Sequence, residues 1–323
     1  MKRTRRAFIN LAAGAAALPA VSRLARADTY PSRPVRIVTG YPAGTAPDIM
    51  ARLLAQPLSE RLGQQFIVEN RPGATNNVGT EVVAHAPPDG YTLLLTVSAN
   101  AINESLYDNL KFDFSRDLAP VAGFASTAFV FVANPGFPAK TVSDLIAYAK
   151  ANPGKVNLAT NGIGTGAHVA AVMLMMMTET EMTIVPYKSN YFADLLGGQV
   201  QVADPPMAGV AEYLKDGKLR ALAVTTPKRA SALPDVATVA DAVPGFSAAG
   251  WFGISVPMGT AADIVEKLAA AIVSIASDAS FQSRVTTLGA EPMPMTTPQF
   301  AKFVADETEK WAKVVKFANI KAD

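Results

Sequence analysis

A short glycine-containing loop near the start of the chain has residue types that could bind an anion. It reads YPAGTAPD, residues 41–48, and lies between an apolar, β-branched run, Val35–Thr39, and residues 49–62, which have helical spacing. Gly44 can adopt a backbone angle that other residues avoid, and Thr45 can cap the helix that follows. A capped helix start exposes backbone N–H groups and the positive end of the helix dipole, and both favour an anion. The same residues would also suit a purely structural turn, so this loop alone leaves both interpretations open.

An acid, Asp48, ends this loop. A carboxylate in the first helical turn favours the helix but opposes an anion that lies close by. We therefore expect Asp48 to hold a water molecule, or a hydroxyl or amine of the ligand. The predicted ligand-binding residues of this loop are Tyr41, Pro42, Ala43, Gly44, Thr45 and Asp48.

A second loop of the same kind follows a later strand pattern. It reads TNGIGTGAH, residues 160–168, and a methionine-rich helix pattern comes after it. Its G-x-G-x-G spacing differs from the dinucleotide fingerprint, and no Lys-Ser/Thr pair follows as a P-loop requires. We predict that Asn161, Gly164, Thr165 and His168 bind ligand, although a packed or capping histidine is an equal alternative for His168. Two such loops predict two jaws that close on one small anion.

Other polar residues follow predicted strands, and ligands of open α/β sheets bind beyond the carboxyl ends of the strands. A serine and an asparagine follow the buried strand pattern of residues 91–97. The loop after residues 183–187 is polar and aromatic, and its Lys188 could pair with a carboxylate. An acid at position 204 ends another strand pattern. The remaining predicted ligand-binding residues are Ser98, Asn100, Tyr187, Lys188, Tyr191 and Asp204.

The sequence has few residues suited to catalysis or metal binding. It contains two histidines, His85 and His168, and no cysteine. This excludes a thiol nucleophile and a thiolate metal site, and two separated histidines do not make a zinc site. No G-x-S-x-G elbow is present, and no spacing of Asp and Glu marks a catalytic pair. We therefore predict a binding protein rather than an enzyme, without a metal or a cofactor.

The first 27 residues have the pattern of an export signal. Residues 4–10, TRRAFIN, contain a twin-arginine pair, an apolar segment follows, and residues 25–27 form an A-x-A cleavage site. Removing the six bases of this segment leaves 23 Lys and Arg against 27 Asp and Glu, a net charge near −4. A chain with this charge lacks the basic surface that nucleic-acid binding requires. We predict export to the periplasm by the twin-arginine route and no nucleic-acid partner.

The elements that would position these loops alternate between strand and helix patterns. The alternation begins at residue 35 and starts again at residue 129, which predicts an α/β protein with mostly parallel sheets covered by helices. The chain contains two such units and returns to the first one at its end. This arrangement predicts two lobes with a cleft between them. We assign residues 28–128 and 250–323 to the first lobe and residues 129–249 to the second. Pro57 falls inside the first helix pattern and predicts a kink or a break there.

Several stretches of the mature chain resemble the Bug family, the periplasmic solute-binding proteins of tripartite tricarboxylate transporters. They are YPSRPVRIVTGYPAG, LSERLGQQFIVENRPGA, PPDGYTLLL, ANPGKVNLATNGIGTGAH, VPYK, DLLGGQVQV, GKLRALAVTTPKRASALPDVATVAD and WFGISVPMGT. The resemblance implies the two-lobed, type II periplasmic binding-protein fold. It also implies a small carboxylate ligand (a di- or tricarboxylate or an aromatic acid) and membrane permease subunits as partners. We further expect a monomer.

The resemblance also locates the family's binding loops. The first corresponds to residues 42–48, where Thr45 replaces the usual second glycine, and the second matches within residues 161–168. The third is shortened, and bulky Tyr191 and Phe192 stand where the family usually has small residues. From this departure we expect a pocket that suits a flatter or aromatic carboxylate.

Two other functions remain open at this point. One is an enzyme of the same fold that acts on a bound acid, which the lack of a nucleophile or metal site opposes. The other is a ligand-binding sensor component that docks a signalling partner instead of a permease. Loss of uptake on gene deletion would separate transport from sensing.

Overall fold

The computed structural model of the chain describes residues 30–187 and 190–321, so the predicted export signal lies outside the described residues. The first part of the chain forms β1 (Val35–Thr39), α1 (Ala46–Leu62), β2 (Phe66–Asn70), a 3₁₀ turn (Ala74–Asn76), α2 (Asn77–Ala84), β3 (Thr92–Val97), α3 (Ser98–Leu106), α4 (Phe114–Asp117) and β4 (Leu118–Ala128). The middle part forms β5 (Val130–Ala133), α5 (Val142–Ala151), β6 (Asn157–Thr160), α6 (Gly166–Thr178), β7 (Thr183–Pro186), α7 (Phe192–Gly197), β8 (Val202–Ala203), α8 (Met207–Lys215), β9 (Arg220–Val224) and α9 (Val239–Ala242). The last part forms β10 (Ala249–Pro257), α10 (Ala262–Ala276), α11 (Ala279–Thr287), β11 (Glu291–Met295) and α12 (Thr297–Phe317).

The first sheet has six strands in the order β11-β4-β10-β3-β1-β2. β1 is parallel to β2 and β3, with Ile37 opposite Val68 on one side and Leu93 on the other. β10 runs antiparallel to both β3 and β4, and β11 runs antiparallel to β4. All six residues of β3 are buried, as expected for a central strand covered on both faces.

The second sheet has five strands in the order β7-β6-β8-β5-β9. β6 is parallel to β7 and β8, whereas β5 is antiparallel to β8 and β9. The prediction of mostly parallel sheets was therefore wrong. Both sheets are mixed, because β10 and β11 in the first sheet and β5 in the second run against the remaining strands.

The chain changes from one sheet to the other at two places. β4 and β5 belong to different sheets although only Phe129 separates them, and the chain returns to the first sheet between Val224 and Ala249. The predicted α/β, two-lobed fold is confirmed. The limits of the lobes, residues 28–128 with 250–323 and residues 129–249, stay a prediction.

One hydrophobic core lies under both sheets. It includes Val38 and Leu94 of the first sheet and Phe131 and Leu158 of the second. The long helix α12 joins them, because it packs against α3 and β4 of the first lobe and also against α6 of the second. Its buried face carries Phe300, Val304, Glu307, Trp311, Val314 and Val315.

The helices and strands differ from the sequence prediction in several places. α1 runs without a break through Pro57, so the helix is not split there. The lost hydrogen bond of one proline is outweighed by the buried face of the helix, which includes Leu54 and Leu58. The sequence prediction also missed β4, β11, α3, α4, α8, α9 and α11.

Across the described residues, the structure has no helix that combines the length and the hydropathy needed to cross a membrane.

Candidate ligand-binding cleft

A cavity of about 520 Å³ lies between the two sheets. Its walls come from the segments that follow β1, β2, β3, β6 and β8, and its floor comes from the start of β10 and the crossing residue Phe129. Loops at the carboxyl ends of strands are the usual ligand site of such sheets. The volume falls within the range of small-molecule sites.

The loop after β1 is held in one shape by hydrogen bonds of its own residues. We call residues 42–48 the first clamp loop. Gly44 has a φ of 81°, its N–H donates to Asp48 Oδ2 at 2.9 Å, and the Thr45 hydroxyl donates to the Pro42 carbonyl oxygen at 2.7 Å. Asp48 also accepts a hydrogen bond from Asn70 at 2.8 Å. The oxygens of Asp48 therefore hold the loop and α1 together.

Asp48 is ionised, and it forms a salt bridge with Arg52 on the same helix. Burial raises the pKa of the carboxyl, but hydrogen bonds from Arg52, Gly44 and Asn70 outweigh this and lower the pKa to about 2. The guanidinium of Arg52 lies 3.0 Å from Asp48 Oδ1, with the Arg52 side chain 53% exposed. The first clamp loop thus carries a fixed negative charge in the first turn of α1.

The loop after β6 has the same hydrogen bonds with different residues. We call residues 162–168 the second clamp loop. Gly164 has a φ of 76°, its N–H donates to His168 Nδ1 at 3.0 Å, and the Thr165 hydroxyl donates to the Gly162 carbonyl oxygen at 2.9 Å. Thr165 also caps α6, because its hydroxyl oxygen accepts from the His168 N–H at 3.3 Å. A histidine takes the place that Asp48 has in the first clamp loop.

His168 is neutral at physiological pH. It is 6% exposed, and burial lowers the pKa of its imidazole to about 4. Because Nδ1 accepts a hydrogen bond, the neutral ring carries its proton on Nε2. In the described part of the chain, the His168 ring accepts a hydrogen bond from the Gly164 N–H and so fixes the loop, and it does not line the cavity.

Four helices of the described chain begin at this cavity. The cavity is lined by the first residues of α1, α3 and α6, and by Pro206 and Ala208 at the start of α8. The first N–H groups of a helix have no partner within the helix, and the helix dipole places partial positive charge there. Together these helix starts create a positive potential without any cationic side chain.

Most of the remaining lining residues are apolar. Phe129, Trp251 and Phe252 form the floor, and Met50 and Leu288 lie at its side. No charged side chain is found among the described residues that line the cavity. An anion bound here would therefore be held by neutral donors.

Trp251 is fixed by a contact outside the cavity. Its indole N–H donates to Glu307 Oε2 on α12 at 3.1 Å, and the same carboxylate oxygen accepts from the Trp311 N–H at 3.0 Å. Because its N–H is bonded to Glu307, Trp251 adds no free side-chain donor to the cavity lining. The floor thus suits the apolar body of a ligand.

Five of the residues predicted from the sequence line the cavity. Tyr41 contributes a phenol whose pKa burial raises above its usual value, so it is a neutral donor. Others contribute a hydroxyl or an amide at the starts of α3 and α6. The five are Tyr41, Pro42, Ser98, Asn161 and Thr165.

A second group of predicted residues does not line the cavity. Asn100 is 2% exposed, its side-chain oxygen accepts from the Val97 N–H at 2.9 Å, and its amide donates to Thr80 at 2.7 Å. These residues shape the loops, and their direct contact with a ligand stays a prediction. The group consists of Ala43, Gly44, Thr45, Asp48, Asn100, Gly164 and His168.

The predicted aromatic wall of the third loop is corrected by the structure. Tyr191 is 2% exposed and packs in the core of the second lobe, and Phe192 stacks on Tyr213 with ring centroids 4.6 Å apart. The Tyr187 hydroxyl donates to Asp194 at 2.6 Å. None of these side chains lines the cavity, because the bulky rings fill the space under the second sheet. Lys188 lies outside the described residues.

Asp204 is buried in the second lobe and does not line the cavity. It is 0% exposed, and neither carboxyl oxygen has a hydrogen-bond partner within the described residues. Burial raises its pKa well above the usual range, so the folded protein favours the protonated acid.

The sequence prediction overlooked the floor and the bare backbone of the cleft. Phe129, Trp251 and Phe252 look like core residues in the sequence, because nothing local distinguishes a buried aromatic residue from one that borders a cavity. Gly166 and Ala167, the first residues of α6, have no side chain with polar atoms. The glycine-rich pattern of residues 160–168 was the available clue to them.

Fold and cleft together define a two-lobed α/β binding protein. The family described as "Tripartite tricarboxylate transporter family receptor" (TctC) matches residues 16–320. The protein BugT of Bordetella pertussis is 37% identical over 295 residues, which cover 90% of this chain and 90% of BugT. The chain therefore belongs to the TctC family, and the resemblance to the Bug family is confirmed.

Two solved structures show the same fold. R. palustris Rpa4515 with adipate superposes with a TM-score of 0.78 at 32% identity, covering 90% of this chain and 99% of that one. MatC (Rpa3494) from Rhodopseudomonas palustris with bound malate gives a TM-score of 0.73 at 30% identity, covering 88% of this chain and 100% of that one. The chain is thus a periplasmic solute-binding protein of this family and not an enzyme.

Proposed function

We propose that the protein captures a small organic carboxylate in its cleft and delivers it to a tripartite tricarboxylate-type transporter. The observation that carries the proposal is the set of four helix starts around a cavity without charged lining residues. Backbone N–H groups and helix dipoles favour an anion, and the apolar floor favours its carbon body. Neither feature favours the binding of a sugar or an amine.

Relatives support an organic acid as the ligand. Rpa4515 was solved with adipate and MatC with malate, and both share about a third of their residues with this chain. The apolar floor formed by Phe129, Trp251 and Phe252 extends the range to an aromatic acid. The proposed ligand is a di- or tricarboxylate or an aromatic acid.

The proposal also includes an export route and transporter partners. The twin-arginine pattern of residues 4–10 supports export of the folded protein to the periplasm. Membrane permease subunits would receive the ligand from a monomeric receptor that binds no nucleic acid. Deletion of the gene should abolish uptake of the ligand, whereas unchanged uptake with a lost transcriptional response would indicate a sensor.

Capture would include closure of the lobes. The chain crosses between the sheets at Phe129 and between Val224 and Ala249, and these crossings would act as hinges. A ligand that contacts loops of both lobes binds the closed state more tightly and so shifts the population towards it.

Thermal unfolding of the mature chain, residues 28–323, tests the proposal. The panel contains adipate, malate, citrate, benzoate, a neutral sugar and an amine. A ligand at a hundred times its dissociation constant adds about 2.7 kcal/mol to the free energy of unfolding, which raises the Tm. A rise confined to carboxylates supports the proposal, and a rise with only the sugar or the amine refutes it.

A further inference from the structure

A surface groove adjoins the ligand cavity on the side of α1 and α11. We call it the α1–α11 groove, and its volume is about 520 Å³. Leu288 lines both the groove and the cavity, so the two spaces lie on either side of this residue. The residues that line the groove are Ile49, Arg52, Leu53, Gln56, Arg284, Thr287 and Leu288.

The charged side chains of this groove are all positive. Arg52 and Arg284 line it, and in the described part of the chain no Asp or Glu does so. The cavity has no charged side chain in its own described lining. The groove therefore places two guanidinium groups next to a cavity whose lining contains only neutral groups.

Arg284 has fewer partners than Arg52. Arg52 forms a salt bridge with Asp48 at 3.0 Å, and its side chain is 53% exposed. Arg284 is exposed, and none of the salt bridges between described residues includes it. The acids Glu60 and Asp278 line a neighbouring groove rather than this one. The charge of Arg284 is thus available to an anion from solution.

The charge of the whole chain opposes the approach of an anion. Without the predicted export signal, the chain has 23 Lys and Arg against 27 Asp and Glu. The helix starts that line the cavity act over about one helical turn, so they do not attract an anion from a distance. Charged side chains near a cleft do act at longer range, and they raise the rate at which oppositely charged ligands arrive.

The α1–α11 groove also suits the carbon body of an organic anion. Ile49 is 39% exposed, and Leu53 and Leu288 add apolar surface beside the guanidinium groups. A guanidinium binds a carboxylate through two parallel hydrogen bonds. A small organic carboxylate therefore matches both parts of the groove.

We infer that the α1–α11 groove is an encounter site, where Arg284 and Arg52 attract the anionic ligand before it enters the cavity. Arg284 does not line the cavity, so it acts on the arrival of the ligand and not on the bound complex. This inference rests on the proposed function.

Charge variants of Arg284 test the encounter site. Arg284→Gln removes the charge and Arg284→Glu reverses it, whereas Arg52 stays unchanged because it also holds Asp48. The control is Lys150→Glu, the same charge reversal at an exposed residue near the end of α5. Because α5 ends before β6 begins and the cavity lies beyond the carboxyl end of β6, Lys150 lies at the opposite edge of the second sheet.

Stopped-flow mixing of the mature chain with adipate, malate and benzoate, followed by tryptophan emission, gives the association and dissociation rates. At an ionic strength of about 0.01 M, we expect association with benzoate to slow about twofold in Arg284→Gln and about fivefold in Arg284→Glu. Adipate and malate carry two charges and should lose more. At about 1 M, where charges act over only about 3 Å, both variants should match the wild type.

The remaining rates identify the step that Arg284 affects. Dissociation from either Arg284 variant should stay within about twofold of the wild type, because the bound ligand lies beyond the groove. Association with Lys150→Glu should stay within about 1.5-fold of the wild type, because its charge lies far from the cavity. Melting curves without ligand establish that each variant folds, and Arg284→Gln decides the matter if Arg284→Glu does not.

Other outcomes overturn the inference. An equal loss in Arg284→Glu and Lys150→Glu would mean that net charge alone sets the association rate. Faster dissociation with unchanged association would mean that Arg284 acts on the bound complex. A loss that does not depend on ionic strength would also refute an electrostatic encounter site.

The wild type separates this inference from the proposed function. If calorimetric titration shows that the wild type binds none of the three acids, the proposed function fails and this inference fails with it. If the wild type binds an acid and Arg284→Glu associates with it at the wild-type rate, only this inference fails.

Discussion

At the scale of single residues, the cleft depends on side chains that do not face it. Asp48 and His168 fix the clamp loops without lining the cavity, and each accepts a hydrogen bond from a glycine N–H. Their protonation states differ for physical reasons: three hydrogen-bonding neighbours keep Asp48 ionised, whereas burial alone keeps His168 neutral. The sequence identified both positions, but it could not show that they point away from the cavity.

His168 makes the stability of the protein depend on pH. Its pKa is about 4 in the folded protein and 6.5 when unperturbed, so the unfolded chain binds a proton more readily. The stabilisation is complete above pH 6.5 and is lost as the pH falls from 6.5 towards 4. Between pH 7.5 and pH 5 we expect the His168 contribution to fall by about 2 kcal/mol.

Denaturant unfolding at the two pH values measures this loss. His168→Asn should show a smaller loss than the wild type, and His85→Asn, a change at the exposed histidine, should match the wild type. An equal loss in the wild type and His168→Asn would contradict the assignment of the neutral ring.

At the scale of elements, the cleft is defined by where helices begin. The sequence predicted the starts of α1 and α6, because glycine, threonine and a following apolar pattern mark a helix start. It missed α3, because β3 ends at Val97 and the helix begins at Ser98 without an intervening turn. It missed β4, whose Pro120 and Gly123 disfavour a strand; pairing with β10 and β11 on both sides outweighs that local preference.

The caps of α1 and α6 give a matched test at this scale. The Thr165 hydroxyl accepts from the His168 N–H, whereas Thr45 makes no side-chain cap and bonds only to the Pro42 carbonyl oxygen. Thr165→Val should therefore cost about 1 kcal/mol of stability and weaken ligand binding, and Thr45→Val should cost less. Thermal unfolding and titration of both variants measure this, and a larger loss for Thr45→Val would contradict the capping assignment.

At the scale of the whole molecule, the two lobes and the return of the chain were predictable, but the floor of the cleft was not. Phe129, Trp251 and Leu288 come from distant parts of the sequence and meet only in the folded protein. Periodic patterns report which residues are buried, and they do not report which buried residues border a cavity. The third loop shows the converse: Tyr191 looked like a pocket residue and is part of the core.

Packing of α12 on the first sheet holds the last helix of the described residues against β4 and β10. At Gly253 in β10, an added Cβ would lie 2.1 Å from Phe300 Cζ and 2.8 Å from the Ala122 carbonyl oxygen. Because Phe300 is fully buried, Gly253→Ala should destabilise the protein by about 1–3 kcal/mol. Gly209→Ala in α8, where no atom lies within 4 Å, should stabilise it by about 0.5–1 kcal/mol.

Urea unfolding of the two glycine variants gives both values. The two changes add the same methyl group, so opposite signs isolate the effect of the space around it. A neutral Gly253→Ala would mean that α12 does not pack on β10 as the structure shows.

The central claim is that the cleft binds a carboxylate through neutral donors. Calorimetric titration of the mature chain with matched acid and amide pairs, adipate with adipamide and benzoate with benzamide, tests it most directly, because each pair differs only in the anionic group. We predict that at least one acid binds and that its amide binds at least about tenfold more weakly, since helix starts favour the charge. An amide that binds as tightly as its acid would contradict the account.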